Sequence, residues 1–173
     1  ASGLREEGIA RGHRVGILLP QSAAVTIAHA AIYKLGAIAV PLALLFGDDA
    51  LAYRLNDSGA KALIATGAGA RKARALRESA PSLETIVSTD GADGDIADFH
   101  RLIADASPDL TAVATSPDDP ALMIYTSGTT RNPQGALHGH SVPLAHRPGV
   151  PVPQEFFPQT GDPMWTPADR ARA

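Results

Sequence analysis

Residues 121–140 read ALMIYTSGTTRNPQGALHGH, an apolar run that empties into a turn built almost wholly of hydroxyls and glycine. Ala121, Leu122, Met123, Ile124 and Tyr125 have the length and continuity of a buried strand in a parallel sheet, where both faces are covered and no polar alternation is needed. Thr126, Ser127, Gly128, Thr129 and Thr130 follow at once. Their hydroxyls donate hydrogen bonds, Gly128 can take positive φ, and successive backbone N–H groups can curl into a nest for phosphate oxygens. A loop just past the carboxyl end of a strand lies where open α/β sheets bind ligands. It is not a Walker loop, because Gly128 and Gly135 are too far apart and no Gly-Lys-Ser/Thr follows. The same residues also suit a hydroxyl-rich turn between two strands with no ligand, and the chemistry alone leaves both readings open.

Working outward, the upstream sequence repeats one grammar of apolar run, turn and amphipathic stretch. Leu4 and Ile9 with Arg5, Glu6 and Glu7 between them predict a helix stopped near Gly12. Residues 14–20, RVGILLP, predict a strand, and Ser22 is placed to cap the helix expected over 23–35. In that helix Val25, Ala28, Ile32 and Leu35 fall at spacings of three and four, which makes one apolar stripe ending at Gly36. Residues 37–42, AIAVPL, predict a second strand, short or frayed at Pro41. Asp48 and Asp49 favour a helix N-terminus, Leu51 and Leu55 face inward one turn apart, and Gly59 ends that helix before a strand over 62–65. A helix over 70–79 with a basic outer face, a strand over 85–88, a turn at Gly91 and Gly94 and a helix over 96–104 complete three α/β rounds. Arg71, Lys72, Arg74 and Arg77 are most simply the solvated face of their helix. Residues 107–120 form a polar, proline-rich linker before the hydroxyl loop. The class expected is α/β, with a doubly wound, mainly parallel sheet.

Composition excludes several functions. The 173 residues suffice for one domain with a sizeable core, and the net charge of −3 is carried by interspersed acids and bases. No basic block marks a nucleic-acid partner or an anionic membrane surface. With no cysteine, disulfides, thiolate catalysis and cysteine-ligated metal are all excluded. The apolar stretches are too short to span a bilayer, which points to a cytoplasmic chain. The opening residue is not methionine and falls in what reads as the middle of a helix, so a fragment is expected.

The stretch from Tyr125 to Thr130, with Pro133 and Gly135 beyond it, resembles the signature loop of the adenylate-forming superfamily, the AMP-dependent acyl-CoA synthetases and their relatives. RVGILLP, YKLGAIAVPL and DSGAKALIAT resemble the opening third of a short- or medium-chain member, in that order, and the Trp-Thr-Pro-Ala-Asp run at 165–169 resembles its continuation. The resemblance implies a partial amino-terminal AMP-binding domain over 1–173: α/β units over 1–106, a linker over 107–120, the phosphate-loop region over 121–140 and a truncated continuation over 141–173. It implies ATP and AMP, Mg²⁺ and coenzyme A as cofactors and co-substrates, and a small carboxylic acid as substrate, as in fatty acid metabolism. It implies that Thr126, Ser127, Gly128, Thr129, Thr130, Gln134 and Gly135 contact the nucleotide. Two positions depart from the pattern: Arg131 stands where the family usually has glycine, and Gln134 where it usually has lysine. The groups that bind magnesium and ribose, and the catalytic lysine, are implied to lie beyond residue 173, so a non-catalytic nucleotide-binding module is the alternative function.

Other residues invite sharper readings. His138 and His140, two apart on an expected strand, share a face but lack a third metal ligand at useful spacing. Ser127 lacks the G-x-S-x-G elbow of a nucleophilic serine. Glu155, Asp162 and Asp169 are scattered through a proline-rich segment, a weak basis for an acid/base pair. Trp165, with Phe156, Phe157 and Met164, reads as packing, and these residues would favour self-association where left uncovered.

Overall fold

Side chains along the central strands alternate between two buried layers, so every strand needs cover on both faces. The computed structural model, which describes residues 1–126 and 132–142, supplies that cover with helices on either side of one sheet. The elements in chain order are α1 (Ser2–Glu6), β1 (Arg14–Leu18), α2 (Ala23–Lys34), β2 (Ile38–Pro41), α3 (Asp48–Ser58), β3 (Ala60–Ala65) and α4 (Gly67–Ala75). A 3₁₀ turn (Arg77–Ser79), β4 (Thr85–Ser88), β5 (Ala97–Asp98), α5 (Phe99–Ala104), β6 (Pro120–Thr126) and β7 (Gln134–Gly139) follow.

Among the described residues the strands form one sheet in the order β5-β4-β3-β1-β2-β6-β7. The ladders from β5 to β6 are parallel and the last, β6 with β7, is antiparallel. Val15, Ile17, Ala62, Ile64 and Val87 face Leu4, Ala28, Ile32 and Phe99, which puts α1, α2 and α5 on one side. Leu18, Val40, Leu63, Ala65 and Ile86 face Leu51, Leu55, Ala70 and Ala73, which puts α3 and α4 on the other. This is the expected doubly wound, mainly parallel α/β sheet. The stripe of α2 is buried as its spacing predicts, with Val25, Ala28, Ile32 and Leu35 all in the core.

Several local expectations are corrected. The first helix stops at Glu6 rather than near Gly12, because Gly8 already turns the chain with φ 82°. Ser22 stands at the start of α2 but its hydroxyl makes no capping bond. The strand expected over 62–65 begins at Ala60, directly after Gly59 turns at φ 59°. The helix expected over 70–79 starts at Gly67, where the Thr66 hydroxyl accepts from the Gly69 N–H, and tightens into the 3₁₀ turn after Ala75. Its basic face is not merely solvated. Lys72 lies 3.1 Å from Asp48, Arg77 lies 2.7 Å from Asp95, and Arg74 lies 3.4 Å from Asp93. These pairs are half exposed, so each is worth little, about 1 kcal/mol or less.

The helix expected over 96–104 begins only at Phe99. Ala97 and Asp98 instead pair with β4, and the Asp98 carboxylate then caps α5 by accepting from the N–H groups of His100 and Arg101. Pro41 ends a strand that lies inside the sheet, opposite Ile17, and the Leu42 N–H supplies the next bond to the Ile17 carbonyl at 2.9 Å. Residues 107–119 carry no regular element but are strapped to the body. Arg11 pairs with Asp119 at 2.6 Å, the Val113 N–H donates to the Lys34 carbonyl, and the Ser2 hydroxyl donates to the Ser107 carbonyl. No helix among the described residues is long and apolar enough to cross a membrane.

Candidate functional site

Parallel pairing puts the carboxyl ends of β1, β2, β3, β4 and β6 along one edge of the sheet. Thr126, the last residue of β6, is exposed on that edge and pairs across the ladder with Gln134, the first residue of β7. The last residue of β6 and the first of β7 are therefore brought together beside the connection that leaves β2 for α3. Ser127, Gly128, Thr129, Thr130 and Arg131 lie outside the described residues, as do Glu155, Phe156, Phe157, Asp162, Met164, Trp165 and Asp169. Ala121 and Tyr125 are buried as expected, but Leu122, Met123 and Ile124 between them are only partly buried, and β6 has a parallel neighbour on one side with antiparallel β7 on the other.

Gly135 stands directly across from Tyr125. A Cβ there would meet Met123 Sδ at 2.8 Å, Met123 Cγ at 3.0 Å and Tyr125 Cζ at 3.2 Å. Glycine at this position thus has a packing reason: it lets the Met123 and Tyr125 side chains lie across the β7 backbone.

Helix α3 supplies residues that the sequence reading did not pick out. Its core face is Leu51, Arg54, Leu55 and Ser58, spaced as one stripe. Tyr53 and Asp57, one turn apart, project beside that stripe toward the loop. The Tyr53 hydroxyl donates to the Pro133 carbonyl at 3.0 Å. The Tyr125 hydroxyl donates to Asp57 Oδ2 at 2.6 Å, with a longer contact of 3.4 Å to the Arg54 carbonyl. Burial, and then the bond to Asp57, hold the Tyr125 phenol well above the ordinary tyrosine pKa, so it is a neutral donor throughout the physiological range.

Arg54 is 8% exposed and sits under this pair. Its guanidinium stacks 4.0 Å from the centre of the Phe46 ring and 5.6 Å from that of Tyr125, and Nη1 donates to the Ala50 carbonyl at 2.8 Å. Nε is buried without a partner among the described residues. Burial lowers the Arg54 pKa, while Tyr125 and Tyr53 oppose that shift. Tyr53, Asp57, Asn132, Pro133, Gln134 and Gly135 line an open recess at this point. Among the described residues its lining holds one carboxylate and no cation, and the donors these residues offer a phosphate are neutral, the Gln134 amide among them.

The histidine pair is split by the end of the hairpin. His138 lies on β7, while His140 follows it with its ring edge-on to Tyr33 at 5.9 Å. Among the described residues no group of three His, Cys, Asp or Glu side chains could hold a metal ion. Asp57, the carboxylate that lines the recess, is already engaged by Tyr125.

The family model for AMP-binding enzymes matches residues 1–169. The chain belongs to the AMP-binding enzyme family. It is 32% identical over 155 residues to the acetyl-coenzyme A synthetase of Pseudoalteromonas translucida, covering 80% of this chain and 24% of that protein. It is 35% identical over 133 residues to the long-chain-fatty-acid CoA ligase FadD13 of Mycobacterium tuberculosis, covering 77% of this chain and 26% of that one. Among solved structures of adenylate-forming enzymes, the anthranilate CoA ligase AuaEII in complex with anthranoyl-AMP superposes with a TM-score of 0.82 at 30% identity, over 87% of this chain and 29% of the ligase. The inhibitor-bound N-terminal domain of FACL13 from Mycobacterium tuberculosis superposes with a TM-score of 0.71 at 30% identity, over 81% and 34% of the two chains. The chain spans about a quarter of the length of the curated relatives it matches.

Proposed function

We propose that this chain carries the nucleotide-phosphate loop of an ATP-dependent acyl-CoA synthetase acting on a small carboxylic acid. The observation that carries the reading is the pairing of Thr126 with Gln134 at the carboxyl edge of the sheet, so that the TSGTT stretch begins where α/β sheets receive ligands. In the reaction, a carboxylate oxygen attacks the α-phosphorus of ATP and the bond to the β-phosphate bridge breaks. Pyrophosphate leaves with that electron pair, and the acyl-adenylate then passes its acyl group to the thiol of coenzyme A, releasing AMP. The loop's share is to hold the β- and γ-phosphates still while that bond breaks, through the hydroxyls of Thr126, Ser127, Thr129 and Thr130, backbone N–H groups at Gly128 and the Gln134 amide. Magnesium bound to ATP would lower repulsion between its phosphates and the incoming carboxylate. The described residues offer that ion no cage of their own.

A lysine at position 134 would bring a full charge to the phosphates, and charge-assisted hydrogen bonds are about twice as strong as neutral ones. Gln134 is therefore expected to weaken binding by about 1 to 2 kcal/mol. Arg131 returns a charge at a position where the family usually has glycine. Titration calorimetry tests the reading: Thr129→Ala or Thr130→Ala loosens ATP or pyrophosphate, and Arg131→Gly with Gln134→Lys tightens it. If the reversions and the threonine changes leave affinity unchanged, the loop is not a phosphate site. Because the chain spans about a quarter of its relatives' length, it is expected to show no acid-dependent exchange of pyrophosphate into ATP when assayed alone. Exchange above a no-protein control would reverse that expectation.

A further inference from the structure

We infer that Tyr53 and Asp57 are positioning residues for the loop between β6 and β7, an inference that rests on the nucleotide reading of that loop. The two side chains lie one turn apart on α3, and each holds one end of the connection. Asp57 accepts from the Tyr125 hydroxyl at 2.6 Å, one residue before Thr126, and Tyr53 donates to the Pro133 carbonyl at 3.0 Å, one residue before Gln134. Neither bond is made within the hairpin. Both run to a helix seated on the sheet by Leu51 and Leu55, which are fully buried.

The need for such a device follows from the position of β7. Among the described residues it is the last strand of the sheet, and Gln134, Ala136 and Leu137 on it are exposed. A two-stranded ladder alone leaves the hairpin free to twist, and a phosphate nest works only when its donors are fixed before the ligand arrives. The ties to α3 hold Tyr125 and Pro133, the residues on either side of the connection, in place. Asp57 also brings a negative charge to the recess that Gln134 and Gly135 line, which opposes phosphate. What the positioning role requires of it is an acceptor for Tyr125, not a charge.

The test compares Tyr53→Phe, Asp57→Ala and Asp57→Asn in the full 173-residue chain, with calorimetric titration by MgATP and by pyrophosphate beside thermal melting. Tyr53→Phe and Asp57→Ala are expected to weaken binding roughly three- to tenfold, a loss of one hydrogen-bonded tie each. Asp57→Asn keeps a carbonyl acceptor and removes the charge, so it is expected to bind at least as tightly as the parent. A role confined to stability would instead shift the melts of all three variants and leave affinity unaltered in the folded state. If the parent binds and Tyr53→Phe and Asp57→Ala bind equally well, the positioning inference is overturned while the nucleotide reading stands. If the parent chain binds neither ligand, the nucleotide reading fails and the inference falls with it.

Discussion

Replacing Gly135 by alanine separates packing from ligand contact at a residue that both readings claim. In a strand interior alanine is normally better than glycine by about 0.5 to 1 kcal/mol, because less backbone freedom is lost on folding. Here the new methyl would lie 2.8 Å from Met123 Sδ, 3.0 Å from Met123 Cγ and 3.2 Å from Tyr125 Cζ. The sulfur and methylene sit mid-chain on a half-buried methionine that also packs against the core, so they cannot simply swing away. Overpacking of this kind costs about 1 to 3 kcal/mol, which exceeds the backbone gain and leaves a net loss of roughly 1 to 2 kcal/mol. With Met123→Ala already in place only the milder approach to Tyr125 remains, and the same glycine-to-alanine change is expected to be neutral or to stabilise by up to about 0.5 kcal/mol. Guanidinium unfolding followed by far-ultraviolet circular dichroism measures all four corners of the cycle. An equal loss in both backgrounds would refute the packing account. A loss of ATP affinity that is the same in both backgrounds, with stability unchanged, would show that Gly135 is needed for close approach of the ligand.

Gly59→Ala is expected to cost about 2 kcal/mol. Roughly half is the strain of a side chain at φ 59°, and the rest is displacement of Arg14, whose Nη2 would lie 2.5 Å from the new Cβ and whose Nε and Nη2 donate to the Ser58 and Gly59 carbonyls. Gly12→Ala, at φ 79° with nothing within 4 Å, is expected to show the strain alone, about 1 kcal/mol, and equal losses in urea unfolding at the two sites would remove the Arg14 component. Tyr125→Phe is expected to cost about 1 kcal/mol at neutral pH, at the low end for a bond to a charged acceptor because the pair is only partly buried. It should also alter the alkaline limb of stability. The native phenol holds its proton above its ordinary pKa of about 10, so the parent's contribution is complete below that pH and is lost as the pH rises further. Unfolding measured at successive pH values should show that loss diminished in the variant, and an unchanged alkaline limb would count against a buried, hydrogen-bonded Tyr125.

What was legible in the sequence was what depends on near neighbours. The stripe of Val25, Ala28, Ile32 and Leu35 needs only the helical period, and the strands at 14–18 and 85–88 need only a short apolar run between turn residues. β5 was not legible because its two residues count as a strand only through pairing of Ala97 with Val87 and Asp98 with Ser88. Locally, residues 96–104 look like one helix, and the Asp98 side chain that decides where the helix starts could have served as readily one turn inside it. The same holds for α3. YRLND carries an aromatic and an acid one turn apart, which is a visible signal, but nothing in it says that Tyr125 and Pro133 will come within reach from 68 and 80 residues away.

Those contacts follow from strand order, which short-range patterning does not encode. The chain leaves β5 at one edge, crosses the body through residues 107–119 and enters β6 beside β2. Because β2 also feeds α3, that placement sets the start of the hydroxyl loop next to the helix that follows the neighbouring strand. Had β6 joined the sheet at the β5 edge, the same loop would leave a carboxyl end just as exposed, with β5 and β4 between it and β3, on which α3 packs, and neither Tyr53 nor Asp57 could reach it. The straps that fix the crossing, Arg11 to Asp119 and the Val113 N–H to the Lys34 carbonyl, lie before β6, at the opposite end of that strand from the loop. They nevertheless decide which helix holds it, so the geometry of the candidate site depends as much on how the polar linker crosses the sheet as on the hydroxyl-rich stretch itself.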